Sequence, residues 1–176
     1  MGAPKATLDL GGRPLVLHPL AAFTAAGLEA VVVAKERTEL PPLAVPVWRE
    51  PDEPSHPLAG IVAALARAGR PLVVCACDMP FVTPSLLSLL ARREERLVLP
   101  RAGGRLHPLL ARYDPALLQR LKAGLREPRA LRDIVSELDP ALLQERELCR
   151  LGDPERLLFN VNTPGDLERA RELLRG

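Results

Sequence analysis

Short apolar runs alternate with segments of helical periodicity along this chain. LEAVVVA (28–34), PLVVCACD (71–78), RLVLP (96–100), HPLLARY (107–113) and LLFNVN (157–162) have the length and apolar density of strands. AVPVW (44–48) is a weaker candidate, because Pro46 confines it to an edge or a short strand. Between these runs the 3.6-residue pattern predicts helices over 14–27, 57–69, 83–93, 115–124 and 163–174. His56-Pro57, Thr83-Pro84 and Thr163-Pro164 each place proline at a first helical position, where its missing N–H is no loss. Thr163 with Asp166 has the spacing of a capping box, and Gly27 and Gly69 stand where helices stop. Strands that alternate with helices predict parallel pairing through right-handed crossovers. The expected fold is therefore α/β, a doubly wound and mostly parallel sheet flanked by helices. The proline-rich stretches 41–57 and 126–140 read as surface loops, so residues 1–176 are expected to form a single domain. GG at 11–12 reads as the turn of a hairpin-like segment, LDLGGRPL.

One run carries a charge problem. VVCAC (73–77) predicts a central strand buried on both faces, and Asp78 follows it directly. An unpaired carboxylate in an apolar core costs several kcal/mol or more, on the order of the worst buried polar groups. Asp78 must therefore emerge at the strand tip or be paired with a cation; a turn or capping aspartate ahead of the helix at 83 is the plainer alternative. In an open α/β sheet, ligands collect outside the carboxyl ends of the strands, which puts Asp78 on that rim.

Composition narrows the function class. At 176 residues, 47% hydrophobic and 26% charged, the chain has the make-up of a soluble globular domain. A net charge of +2 gives no electrostatic argument for a nucleic-acid or membrane partner. No apolar stretch approaches the ~18 residues of a transmembrane helix, and the N-terminus lacks a secretory signal pattern, so a reducing cytoplasm is expected. Cys75 and Cys77 share a strand and Cys149 is remote, which spells out no zinc framework.

Four segments at the expected rim, MGAPKATL (1–8), HPLAGI (56–61), CDMPFVTP (77–84) and NVNTPGDL (160–167), taken in order, resemble the MobA-like nucleotidyltransferases, most closely the molybdenum cofactor guanylyltransferases. HPLLARY adds to the resemblance, which covers nearly the whole chain. The resemblance implies a nucleotide-diphospho-sugar transferase-like fold. It also implies transfer of GMP from GTP to molybdopterin, with release of pyrophosphate and with Mg²⁺, alongside other proteins of cofactor biosynthesis. Such chemistry needs cations around a crowded set of phosphates, and Mg²⁺ needs only one or two carboxylates. Asp78 matches the metal ligand and Lys5 the phosphate-binding lysine of an M-G-x-x-K signature. Leu58 and Gly60 lie in the first turn of a helix, where free N–H groups and an absent side chain suit a nucleotide. Glu50 and Asp52 both occupy the region of the family's nucleotide-binding aspartate, and the sequence does not separate them. Asn160 and Asn162 are expected on one side of a strand end and His107 beside a loop over the second substrate, all three toward molybdopterin.

The chain departs from the family pattern at two places. The family's first strand and its glycine-rich loop, L-A-G-G-x-x-x-R, precede the M-G-x-x-K signature, and Met1 coincides with that methionine. A domain lacking a first strand, with unpaired edges beside the gap, is therefore expected. Guanine-binding members place Asn after the strand that here spans 28–33, and Ala34 stands at the matching position in VVVAKE. A CTP-using or sugar-phosphate transferase of the same fold, and a non-catalytic remnant that binds a partner, are the alternatives.

Overall fold

The computed structural model describes residues 5–126 and 128–175. A 3₁₀ turn (Lys5–Thr7) leads into a short hairpin, β1 (Asp9–Leu10) and β2 (Arg13–Pro14), closed by Gly11 and Gly12 at φ 63° and 78°. Two consecutive left-handed residues make the tight turn that glycine permits, as the GG pair predicts. Helix α1 (Leu17–Ala25) follows, then the parallel pair β3 (Val32–Lys35) and β4 (Val47–Glu50), registered Val32↔Val47 through Lys35↔Glu50.

Helix α2 (Pro57–Ala68) begins with His56, whose Nδ1 accepts the Leu58 N–H at 3.1 Å, and stops at Gly69 in the left-handed region. β5 (Leu72–Cys75) is followed by α3 (Pro84–Arg92), capped by Thr83. The remaining strands are β6 (Leu97–Ala102), β7 (Arg105–Leu106) and β8 (Leu110–Tyr113), and then come α4 (Leu118–Gly124) and α5 (Leu131–Ser136). β9 (Ala141–Gln144), α6 (Glu145–Leu148), α7 (Pro154–Leu157) and α8 (Pro164–Arg175) complete the chain.

The expected α/β architecture, sheet flanked by helices, is present, but the main sheet is mostly antiparallel among the described residues rather than mostly parallel, because the strands β6, β7 and β8 follow one another through short turns with no helix between them. The main sheet runs β5-β8-β6-β7 with β9 on β6; β6–β9 is parallel, and β8 is antiparallel to both β5 and β6. Alternation along the strands divides the core into two layers. Leu97, Leu99, Ala111 and Tyr113 face α2, α4 and α5, while Val98 and Leu110 face α1, α3 and α6. A third apolar cluster, Leu10, Leu15, Val161 and Ala170 with Phe81, Phe159 and Leu167 against it, fastens the N-terminal hairpin to α8.

Three local expectations are corrected. β5 is not central: among the described residues it pairs only with β8, and its residues are half-buried. Both faces of the strand are covered by helices, but lateral burial needs a second neighbour, which its own apolar sequence cannot specify. LLFNVN is not a strand. Asp153 caps a helix at Pro154 that takes in Leu157, and residues 159–162 run irregularly. Its apolar residues are buried all the same: Leu157 and Leu158 sit in the layer under α3, and Val161 in the hairpin cluster. The stretch 126–140 is not all loop, because α5 lies in it, and β9 follows directly after it.

The Pro-at-N1 helices are held by local caps, and α3 gives the simplest test. Thr83 Oγ1 accepts the Leu86 N–H at 3.4 Å. Thr83→Ala should lower the unfolding free energy by about 1 kcal/mol in urea denaturation, and Thr83→Ser should restore most of it.

Candidate active site

Two loops meet at the carboxyl end of β5. One is the segment 76–83, held by the Met79 N–H to Ala76 carbonyl bond and by the fully buried Met79 side chain. The other is 158–163, between α7 and α8. The Val161 N–H donates to the Asp78 carbonyl at 2.9 Å and stitches the two together. Asp78 is therefore fixed by its backbone, and its side chain is only 15% exposed.

Lys5 meets it from the N-terminal turn. Lys5 Nζ donates to Asp78 Oδ2 at 2.9 Å and to Asn162 Oδ1 at 2.7 Å. The strand stops at Cys75, and Asp78 sits in the turn that follows it, paired with a cation; the turn reading and the cation-paired reading of the sequence hold together, and the strand itself does not reach Asp78. Of the MGAPK stretch, Met1–Pro4 lie outside the described residues.

Asn162 is aimed by the start of α8. Asp166 Oδ2 accepts the N–H groups of Asn162 (2.9 Å) and Thr163 (2.8 Å), and the Asp166 N–H donates to Thr163 Oγ1 at 3.1 Å. This is the capping box the sequence predicts. The box also positions Asn162, a role that spacing alone did not reveal. Those backbone donors, that of Asn162 first, hold the Asp166 carboxyl below its ordinary value of 3.8.

Asn160 does not join the group. Its Nδ2 donates to the Leu158 carbonyl at 2.8 Å, and the strand whose alternation was to set the two asparagines on one side is not formed. His107 lies in the β7–β8 connection, half-buried and apart from the Lys5 contacts. Burial first, and the Arg105 charge second, hold its ring below the usual histidine value.

A second group forms at the start of α2. Glu50, at the end of β4, is buried, and its Oε1 lies 3.2 Å from Lys35 Nζ. Lys35 also donates to the Pro51 and Pro54 carbonyls at 2.9 Å, pinning the loop ahead of the helix. A Cβ placed on Gly60 would stand 3.5 Å from Glu50 Oε1 and 3.8 Å from Val33, both ordinary contacts. The fold would therefore accept alanine at 60, although glycine inside a helix costs about 1 kcal/mol relative to alanine. Packing does not explain this glycine. The two acids that the sequence left open have different surroundings: Glu50 lies against Gly60, whereas Asp52 pairs with the exposed Arg37 at 3.1 Å. Leu58 contributes differently from expectation. Its side chain is fully buried in the core, and its N–H is already taken by His56.

The neighbouring thiols are inert. Burial, with the Asp78 charge second, pushes the Cys77 thiol up to about 11 and the Cys75 thiol higher still. Neither offers a thiolate nucleophile at neutral pH.

Helices cover both faces of the sheet, and a carboxylate, a lysine and an amide gather beyond the carboxyl end of β5, where α/β enzymes collect their ligands. The chain belongs to the MobA-like NTP transferase family, whose domain model matches residues 1–141. It is 33% identical to a molybdenum cofactor guanylyltransferase of Cereibacter sphaeroides, over 99% of this chain and 90% of that protein. It is 30% identical to a probable molybdenum cofactor guanylyltransferase of Pelotomaculum thermopropionicum, over 97% of this chain and 85% of that one. Among solved structures it resembles the molybdopterin-guanine dinucleotide biosynthesis protein A of Archaeoglobus fulgidus, with a TM-score of 0.81, 25% identity, and coverage of 99% and 92%. The resemblance read from the four segments is borne out. No helix of the described residues is long and apolar enough to cross a membrane.

The capping box has a pH signature. Because the folded-state value of Asp166 is depressed, its contribution is complete above the unfolded carboxyl value and is lost as pH falls through the folded value. Asp166→Asn should therefore melt below wild type at pH 7. The gap should stay constant down to about pH 5 and shrink below about pH 4.

Proposed function

We propose that this protein is a Mg²⁺-dependent guanylyltransferase, one domain over residues 1–176, which transfers GMP from GTP to molybdopterin and releases pyrophosphate. The observation that carries this reading is the meeting of Lys5, Asp78 and Asn162, from three segments remote in sequence, in a chain whose relatives are named for that reaction. We place the reaction in the cytoplasm, where the three free cysteines stay reduced, with other cofactor-biosynthesis proteins handing over molybdopterin.

The donor set fits magnesium. Asp78 offers a carboxylate at the site mouth, and its Oδ1 accepts no hydrogen bond from the described residues. The Asn162 amide oxygen is on the same lysine. No group of three or more His, Cys, Asp or Glu gathers among the described residues, and Mg²⁺, which keeps several waters, does not require one. Bound there, the ion would offset negative charge on the triphosphate during transfer.

The chain's own groups divide the remaining work. Lys5, 40% exposed with two of its protons committed, turns its ammonium toward the phosphates. An oxygen of the molybdopterin phosphate attacks the α-phosphorus as the bond to the β-phosphate breaks. The attacking phosphate is already ionised, so no general base is required. We assign Glu50, the carboxylate beside Gly60, to the N–H donors of guanine. Of the two acids, Glu50 is the nucleotide ligand we favour. We assign Asn160 and the half-buried His107 ring to the molybdopterin side, as the family resemblance implies.

Pyrophosphate release from Mg²⁺-GTP in the presence of molybdopterin tests the reading. Asp78→Ala should lower the rate by about 100-fold or more. Equal rates would point instead to a non-catalytic binding module. Stronger thermal stabilisation by Mg²⁺-CTP than by Mg²⁺-GTP would overturn the choice of base.

A further inference from the structure

We propose that Arg156 holds the phosphate of the acceptor substrate. The assignment rests on the guanylyltransferase reading and extends it to a residue that no motif singled out. Arg156 lies in α7, and its guanidinium carbon stands 5.2 Å over the centre of the Phe81 ring. Phe81 follows Asp78 by three residues and packs edge-on against Phe159, with ring centres 5.9 Å apart at 61°. Phe159 immediately precedes Asn160. The two aromatic rings therefore belong to the two loops that the Val161–Asp78 backbone bond ties together, and Arg156 stands on the wall they make.

The guanidinium is otherwise uncommitted. Arg37, Arg70, Arg93 and Arg171 each form an ion pair with a carboxylate. Arg156 is exposed and has no such pair among the described residues. An arginine over an aromatic ring keeps its plane oriented by the ring while its N–H donors remain free at the rim. A phosphate monoester is the ligand that such a fork takes in bidentate fashion.

The reaction has a place for it. Lys5 is engaged by Asp78 and Asn162 and serves the triphosphate, so the incoming phosphate needs a cation of its own to approach like charge. Arg156 neither gains nor loses a proton. It holds two oxygens of the acceptor phosphate while the third forms the new bond to the α-phosphorus and pyrophosphate departs.

Initial rates for wild type, Arg156→Met and Arg156→Lys, with molybdopterin and Mg²⁺-GTP varied in turn, test the assignment. Methionine keeps an apolar stem over Phe81 and removes the charge. Arg156→Met should raise KM for molybdopterin by about tenfold or more while KM for GTP stays within about twofold, and lysine should recover part of the loss. An unchanged KM for molybdopterin, or equal rises for both substrates, would overturn it. A wild type that forms no dinucleotide would sink the guanylyltransferase reading instead. In that event ³¹P line broadening of inorganic phosphate decides the matter: Arg156→Met should weaken phosphate binding by about tenfold, and unchanged binding would reject the assignment.

Discussion

The ammonium group of Lys5 joins the turn after β5 to the start of α8, and the rest of the site is arranged around that junction. Its two acceptors, Asp78 and Asn162, lie 73 and 157 residues away in sequence. With Lys5 40% exposed, the ion pair adds little to stability, since solvent screens such pairs to a fraction of a kcal/mol or about one at most. Its value is positional. Asp78 is held at the mouth of the sheet, because a cation faces it and because its backbone is tied to Val161. The apolar cluster beneath, with Leu10, Leu15 and Val161 at its centre, keeps the lysine-bearing turn within reach.

Features specified by local chemistry were legible in the sequence. The starts of α2, α3 and α8 follow from a capping side chain with proline next to it, and the Gly11–Gly12 hairpin follows from residues that tolerate positive φ. Features specified by neighbours were not. The apolar run of β5 says that helices cover its faces but not how many strands flank it. LLFNVN has a strand's composition, yet the Asp153-Pro154 start turned its first part into helix; that cap was present in the sequence as a signal. α5 and β9 are short, and the prolines around them obscured any period.

The site shows the same division. Asp78 was found from the conflict between an apolar strand and its terminal charge, and Lys5 through the resemblance of its surroundings to a known signature. The different surroundings of Glu50 and Asp52 follow from register, which sets Lys35 opposite Glu50 in the parallel pair and which neither acid's local sequence specifies. Asn160 and Asn162 were expected to act together because strands alternate, and the irregular backbone leaves only Asn162 within reach of Lys5. Phe81 and Arg156 carry no sequence signal, since their relation exists only after the two loops are joined.

Lys5 and Asp78 are one unit in this account, so a double-mutant cycle on GMP transfer tests it most directly. Lys5→Met and Asp78→Asn should each slow the reaction severely. The double variant should be slower than the worse single by no more than about threefold, because the second substitution removes a partner already disabled. Losses that multiply in full would show two groups acting independently and would contradict the account.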